Sequence, residues 1–209
     1  MGVEATSAAG ATATFAVSAS DIVDGIVGPD CNHASGDLFA LGDTTVACSA
    51  TDKHLNKATD KSFVVSVLDT TKPIVTVPSD IIEEATSSQG AKVDFTVTAN
   101  DTVSGPLSPV CIIGPDHPVQ SGDVFALGVH DVSCSAKDGA GNTGSASFKI
   151  TVRDTTPPLL TVPTDIVEEA KGAGGNIVTY QASATDAVDD NVDIVCVPPS
   201  GSVFGIETT

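Results

Sequence analysis

The chain has 209 residues, 41% of them hydrophobic, and its 27 acidic and 9 basic side chains give a formal charge of −18. A field of that sign repels phosphate backbones and anionic lipid heads, which argues against nucleic acid as a partner. An aromatic share of 4%, with no Trp and a single Tyr, leaves little for a base- or sugar-stacking platform. The charge suits divalent cations or a saline medium, and equally suits solubility alone.

No apolar run reaches the roughly 20 residues that a membrane helix needs, so no membrane insertion is expected in this segment. The N-terminus has no charged-then-apolar leader. Met1-Gly2-Val3-Glu4-Ala5-Thr6 matches a weak myristoylation pattern. Its last four residues align inside Ile82–Thr86, however, so it reads as a repeat that starts partway through.

Repetition organises everything that follows. Asp69-Thr70-Thr71-Lys72-Pro73 recurs as Asp154-Thr155-Thr156-Pro157-Pro158. Ser79-Asp80-Ile81-Ile82-Glu83-Glu84-Ala85 recurs as Thr164-Asp165-Ile166-Val167-Glu168-Glu169-Ala170. Phe39-Ala40-Leu41-Gly42 recurs from Phe125 and, altered, from Phe204. Cys31, Cys111 and Cys196 form one cysteine series, and Cys48 and Cys134 a second. Three modules follow: 1–68, which lacks its first strand, 69–153, which is complete, and 154–209, which lacks its last strands. Pro157-Pro158 restricts φ and removes two N–H donors, so the second joint should be semi-rigid.

In the complete module, alternation and turn signals predict strands in order. Ile74–Val77 opens it and Ile81–Glu84 follows. Val93, Phe95, Val97 and Ala99 alternate with polar residues as one half-buried strand. Val110–Ile113, Val124–Leu127 and Val129–Ala136 come next. Ala146, Phe148, Ile150 and Val152 close the module. About seven short strands with polar, Gly-rich turns predict an all-β chain of tandem immunoglobulin-like β-sandwich modules, each of two antiparallel sheets, in an elongated array.

Together, the DTTPP opening, the PxDIxEEA element and the Cys–SGxFxLG–xxxVxCxAxD run before a closing FxVxV strand resemble the hyalin repeat, the HYR domain. The resemblance covers nearly the whole chain in three registers. It departs at Lys53-His54-Leu55-Asn56, where the second module has the usual Gly139-Ala140-Gly141-Asn142 turn. It implies an immunoglobulin-like sandwich found in tandem in extracellular and cell-surface proteins, a role in adhesion or protein–protein contact, and no catalysis.

In that fold Cys31 and Cys48, and likewise Cys111 and Cys134, fall on strands expected to be neighbours. The oxidising setting of such arrays favours a disulfide in each module over free thiols. Two sulfurs without CxxC spacing make a poor metal site. Cys196 is left without a partner. The same fold gathers loops at one pole, placing Asp101 and Asp138 near Asp69, and Asp186, Asp189 and Asp190 near Asp154. These carboxylates are candidate calcium ligands at the joints. The competing reading, in which they cap turns, is preferred because no EF-hand or nonapeptide loop is present.

Enzyme chemistry finds no support. His33, His54, His117 and His130 do not recur between modules. Glu83-Glu84 and Glu168-Glu169 are adjacent strand residues, which point to opposite faces. The sequon Asn100-Asp101-Thr102 is expected to stay an unmodified turn. The expected function is a non-catalytic extracellular spacer and adhesion surface with protein or cell-surface partners. Two alternatives stand: a filament subunit that self-associates by strand addition at open sheet edges, and an accessory module of a secreted hydrolase.

Overall fold

The computed structural model describes residues 1–206, and among these all regular structure is strand. The first repeat contributes β1 (Gly2–Glu4), β2 (Ala11–Thr12), β3 (Ala19–Asp21), β4 (Gly25–Val27), β5 (Pro29–Cys31), β6 (Leu38–Phe39), β7 (Gly42–Ala50) and β8 (Lys61–Leu68). The second contributes β9 (Ile74–Thr76), β10 (Ile81–Glu84), β11 (Ala91–Lys92), β12 (Thr98–Asp101), β13 (Gly105–Leu107), β14 (Val110–Ile113), β15 (His117–Val119), β16 (Val124–Phe125), β17 (Gly128–Lys137) and β18 (Thr143–Arg153). The third contributes β19 (Leu159–Thr161), β20 (Asn176–Val178), β21 (Ser183–Thr185) and β22 (Ser202–Phe204).

The main sheet of the second repeat runs β10-β18-β17-β14-β15, and its counterpart in the first runs β1-β8-β7-β5. Period-2 alternation explains the two long strands. Val132, Cys134 and Ala136 on β17, and Phe148, Ile150 and Val152 on β18, are buried while their neighbours face outward. Val46, Val65 and Val67 do the same in the first repeat. Full burial of each valine stabilises the fold by about 1.5–2 kcal/mol.

Three expectations need correction. The sheets are not wholly antiparallel: β10 pairs β18 in parallel, Ile81 against Ile150, and β1 pairs β8 in parallel. A repeat's first and last main-sheet strands both run away from the pole where the chain enters, so neighbours at the sheet edge share a direction. The single strand expected over Val93–Ala99 is two pieces. β11 pairs β16, whereas β12 pairs β9 and β13. Between them the backbone is bound by a turn: Val93 N–H donates to Asp123 O at 3.0 Å and Phe95 N–H to Ser121 Oγ at 2.9 Å. The strand therefore changes partners while its side chains keep alternating. Ten strands rather than seven result, the additions being β13, β15 and this division.

One tight approach recurs in all three repeats. Gly90 has φ +107°, and a Cβ there would lie 1.9 Å from the carbonyl oxygen of Phe125. Gly10 against Phe39 and Gly175 against Phe204 show the same contact. Only a residue without Cβ lets that turn close on β16 and its counterparts.

Contacts gather the chain into two compact units. One comprises Met1–Pro78, Thr96–Val119 and Ser133–Ser147; the other comprises Ser79–Phe95, Gln120–Val132 and the residues from Phe148 onward. In the first, Phe39, Val46, Val65 and Val67 form a core onto which Phe15, Phe63 and Val103 pack. In the second, the Phe95 ring meets Phe148 edge-on at a centroid distance of 5.2 Å.

Candidate inter-repeat joints and cation site

Two covalent ties hold the sheets. Cys31 and Cys48 are register partners on β5 and β7, and their sulfurs are bonded. Cys111 on β14 is bonded to Cys134 on β17. Cys196 is a free thiol.

The linkers are tied by a clamp that sequence reasoning missed. Glu4, the last residue of β1, accepts from Thr70 N–H at 2.8 Å, Thr70 Oγ1 at 2.7 Å and Thr71 Oγ1 at 2.8 Å. Glu84, the last residue of β10, accepts from Thr155 N–H at 2.6 Å, Thr155 Oγ1 at 2.8 Å and Thr156 Oγ1 at 2.9 Å. Three donors on one carboxylate favour its charged form. The Thr70 N–H, then the two threonine hydroxyls, hold Glu4 below its ordinary 4.5. The Thr155 N–H and hydroxyl do the same for Glu84. Of the Glu83-Glu84 pair only the second serves, because alternation turns Glu83 to the other face. The signal that could have found the clamp is the joint recurrence of EEA and DTT at the same offset.

The first joint is closed by packing as well. Val103, in the turn after β12, lies against the first repeat's core. Its counterpart Val188 is 8% exposed, whereas Val23, the counterpart in the first repeat, is 80% exposed.

Beside that contact, carboxylate oxygens of Asp69, Asp101 and Asp138 lie within 4.8 Å of one another. Asp69 and Asp101 each spend one oxygen on a turn, and Asp138 spends both. Asp101 Oδ1 accepts from Val103 and Ser104 N–H, both at 2.8 Å. Asp138 Oδ1 accepts from Gly141 and Asn142 N–H, and its Oδ2 from Asn142 Nδ2 at 2.8 Å. Asp69 Oδ1 accepts from Thr71 N–H at 3.2 Å, while Asn142 Nδ2 also reaches Asp69 O at 3.1 Å. Oδ2 of Asp69 and Oδ2 of Asp101 are buried without any hydrogen-bond partner, and Asp101 is only 3% exposed.

Turn capping and cation binding are therefore compatible at Asp69 and Asp101, where capping uses one oxygen and leaves the other free. Burial, then the neighbouring Asp101 charge, pushes the Asp69 carboxyl above its ordinary 3.8. Asp138 is also penalised by burial, but bonds from the Asn142 side chain and backbone more than offset that and hold it low. Unpaired buried carboxylate oxygens are costly, and a hard divalent cation ligated by oxygen removes the cost. The residues fit Ca²⁺: Asp69 and Asp101 would each offer a free oxygen, and Asp138 a third carboxylate.

The other acidic groups are less complete. Asp154, Asp186 and Asp189 come together within the same 4.8 Å, without Asp190. Asp186 Oδ1 caps the Val188 and Asp189 N–H groups, and these bonds hold its carboxyl low. No buried unpartnered oxygen occurs there among the described residues. A third group, Asp24, Asp52 and His54, was not anticipated. His54 Nδ1 lies 3.2 Å from Asp24 Oδ2. Alignment of Asp52 with Asp138 is the sequence signal that would have found it.

Residues 68–152 match the family described as "HYR domain". This stretch is an HYR domain. Most of the chain is similar to two curated proteins named "Hyalin". One, from Strongylocentrotus purpuratus, is 33% identical over 159 residues, covering 72% of this chain and 13% of that protein. The other, from Lytechinus variegatus, is 29% identical over 184 residues, covering 85% of this chain and 34% of that protein. The chain thus spans about a third of one of these relatives and about an eighth of the other. Among solved structures, a protocadherin gammaB7 EC3-6 cis-dimer aligns at 14% identity with a TM-score of 0.37, over 89% of this chain and 54% of that one.

Proposed function

We propose that the chain is a tandem array of three hyalin-type repeats, 1–68, 69–153 and 154–209, that serves outside the cell as a non-catalytic spacer and adhesion surface with protein or cell-surface partners. The joints are the working parts, and Ca²⁺ held by Asp69, Asp101 and Asp138 stiffens the first. Asp154, Asp186 and Asp189 are a second, weaker calcium position. The observation that carries this reading is the clamp built twice, Glu4 on Thr70-Thr71 and Glu84 on Thr155-Thr156, with the same donors each time. A motif repeated at each junction serves joining rather than a single reaction centre. Similarity to the hyalins supports the extracellular setting.

Attachment tests it. Beads coated with the chain are allowed to settle on a cell layer in Ca²⁺-containing and Ca²⁺-free medium, with albumin-coated beads as reference. The expected result is retention above albumin that falls when Ca²⁺ is removed. Retention equal to albumin in both media overturns it.

A further inference from the structure

Two turns of the first repeat carry a carboxylate and an imidazole where the second repeat has neither. Asp24 lies in the turn after β3, and Lys53 and His54 in the turn after β7; their counterparts are Ser104, Gly139 and Ala140. In the second repeat one bond ties the two turns together, Gly139 N–H to Ser104 Oγ at 3.1 Å. The first repeat keeps that bond at the same length, Lys53 N–H to Asp24 Oδ2 at 3.1 Å. A hydroxyl is therefore enough to join the turns, and a carboxylate exceeds that need. His54 stands beside it, with Nδ1 3.2 Å from Asp24 Oδ2. Asp52 completes the group: one ligand atom from each of the three residues lies within 4.8 Å of the other two.

We propose that Asp24, Asp52 and His54 bind a divalent first-row transition ion of the Zn²⁺ type, at a site separate from the oxygen-only clusters at the joints. Three features select that class of ligand. Ligand atoms about 2.0–2.1 Å from a tetrahedral ion stand about 3.3–3.4 Å apart, and the Nδ1–Oδ2 separation of 3.2 Å is already close to that edge. An imidazole nitrogen suits Zn²⁺ and its neighbours, whereas Ca²⁺ takes only oxygens and needs about six to eight of them. The Asp24 side chain is only 8% exposed, and both its polar partners, Lys53 N–H and the imidazole, meet Oδ2, so Oδ1 is left unpaired among the described residues.

Hydrogen bonds fix the ligands in place. Asp21 Oδ1 accepts from Val23 N–H at 2.7 Å and Asp24 N–H at 3.0 Å and shapes the first turn. Asp52 Oδ1 accepts from the N–H groups of His54 and Asn56, and Oδ2 from Asn56 Nδ2, all at 2.8 Å. A carboxylate oxygen has two lone pairs, so Asp52 Oδ2 can hold Asn56 and an ion together. Leu55 keeps the second turn in shape at φ +69°, where the second repeat has Gly141. The His54 side chain is 66% exposed, which gives an ion a route from solvent. Three protein ligands leave the fourth tetrahedral position to water.

The test is calorimetric titration of the 209-residue chain with micromolar Zn²⁺ in millimolar Ca²⁺, which fills the oxygen-only clusters. Cys196 is alkylated beforehand, so its free thiol takes no zinc. The expected result is a saturable event with a single Zn²⁺ bound per chain. Asp24→Ser and His54→Ala each install the residue that the second repeat carries at that position, in a turn that already accommodates it. Each should weaken binding at least about tenfold, since loss of even an outer-shell partner costs that much. A second readout needs no variant: in nitrogen–proton correlation spectra of the histidine rings, Zn²⁺ should move the Nδ1 signal of His54 and leave His33, His117 and His130 in place. Absence of zinc binding by the wild type, binding unchanged in either variant, or an equal Nδ1 shift produced by Ca²⁺ alone overturns the proposal. None of these outcomes bears on calcium at Asp69, Asp101 and Asp138, so the two readings fail separately.

Discussion

Replacing Cys111 and Cys134 together by Ala tests how much of the second repeat rests on its covalent tie. The bond closes 23 residues. Loop-closure entropy in the unfolded chain then places its contribution at about 3.4 kcal/mol. Cys134 is fully buried and Cys111 is 7% exposed, so small-residue replacement adds a minor packing loss rather than exposing a polar group. For a repeat of this size, a loss of that magnitude lowers the melting temperature by roughly 15–25 °C. Differential scanning calorimetry on the whole chain reads the shift. Hydrogen exchange localises it, with β14, β17 and β18 losing protection while β7 and β8 keep theirs. A fall of under about 5 °C would mean that the unfolded chain is already ordered around these cysteines, and the loop-entropy reasoning would be refuted.

Further outcomes follow from the same geometry. Carboxyl NMR titration should find Glu4 and Glu84 below the ordinary 4.5, because the threonine N–H and hydroxyl donors hold their charge. Since the folded value is depressed, the clamps' stability is present above 4.5 and lost as pH falls through the depressed value; Glu84→Gln should remove its share of that acid loss. Midpoints at or above 4.5 would dissolve the clamp. Gly90→Ala should cost about 2 kcal/mol or more, since its φ of +107° penalises Cβ and Phe125 O stands 1.9 Å from it; an unchanged denaturation midpoint would contradict this. Leu55 has φ +69° where the second repeat has Gly141, so Leu55→Gly should stabilise the first repeat by about 1 kcal/mol in urea unfolding. A destabilisation would show that the exposed Leu55 side chain packs usefully.

Much of this fold can be read from residue pattern, and the limits are physical. Ile81–Glu84 and Val110–Ile113 were legible to the residue because β-branched runs stand between turn formers. The break between β11 and β12 was not, because alternation tells which face a side chain takes and not which strand pairs beside it. Parallel pairing of β10 with β18 is hidden for the same reason. The acidic cluster around Asp69 was legible because the repeats align and the fold sends those loops to one pole. The clamp escaped because Glu84 and Thr155 are ordinary residues 71 positions apart, and only their tertiary contact gives them a role. His54 is not legible from the repeats, because it stands where the second repeat has Ala140 and so has no counterpart in the pattern.

Calcium titration of the wild type and of Asp101→Asn tests the central claim most directly. The substitution keeps an oxygen to cap Val103 and Ser104 and removes the charge beside Asp69. In calorimetry the wild type should bind Ca²⁺, and at a hundredfold excess over Kd its second-repeat transition should gain about 2.7 kcal/mol. Asp101→Asn should fold, melt as the metal-free wild type does or higher, and lose the calcium response. A wild-type melt unchanged across millimolar Ca²⁺ would contradict a metal-stiffened joint.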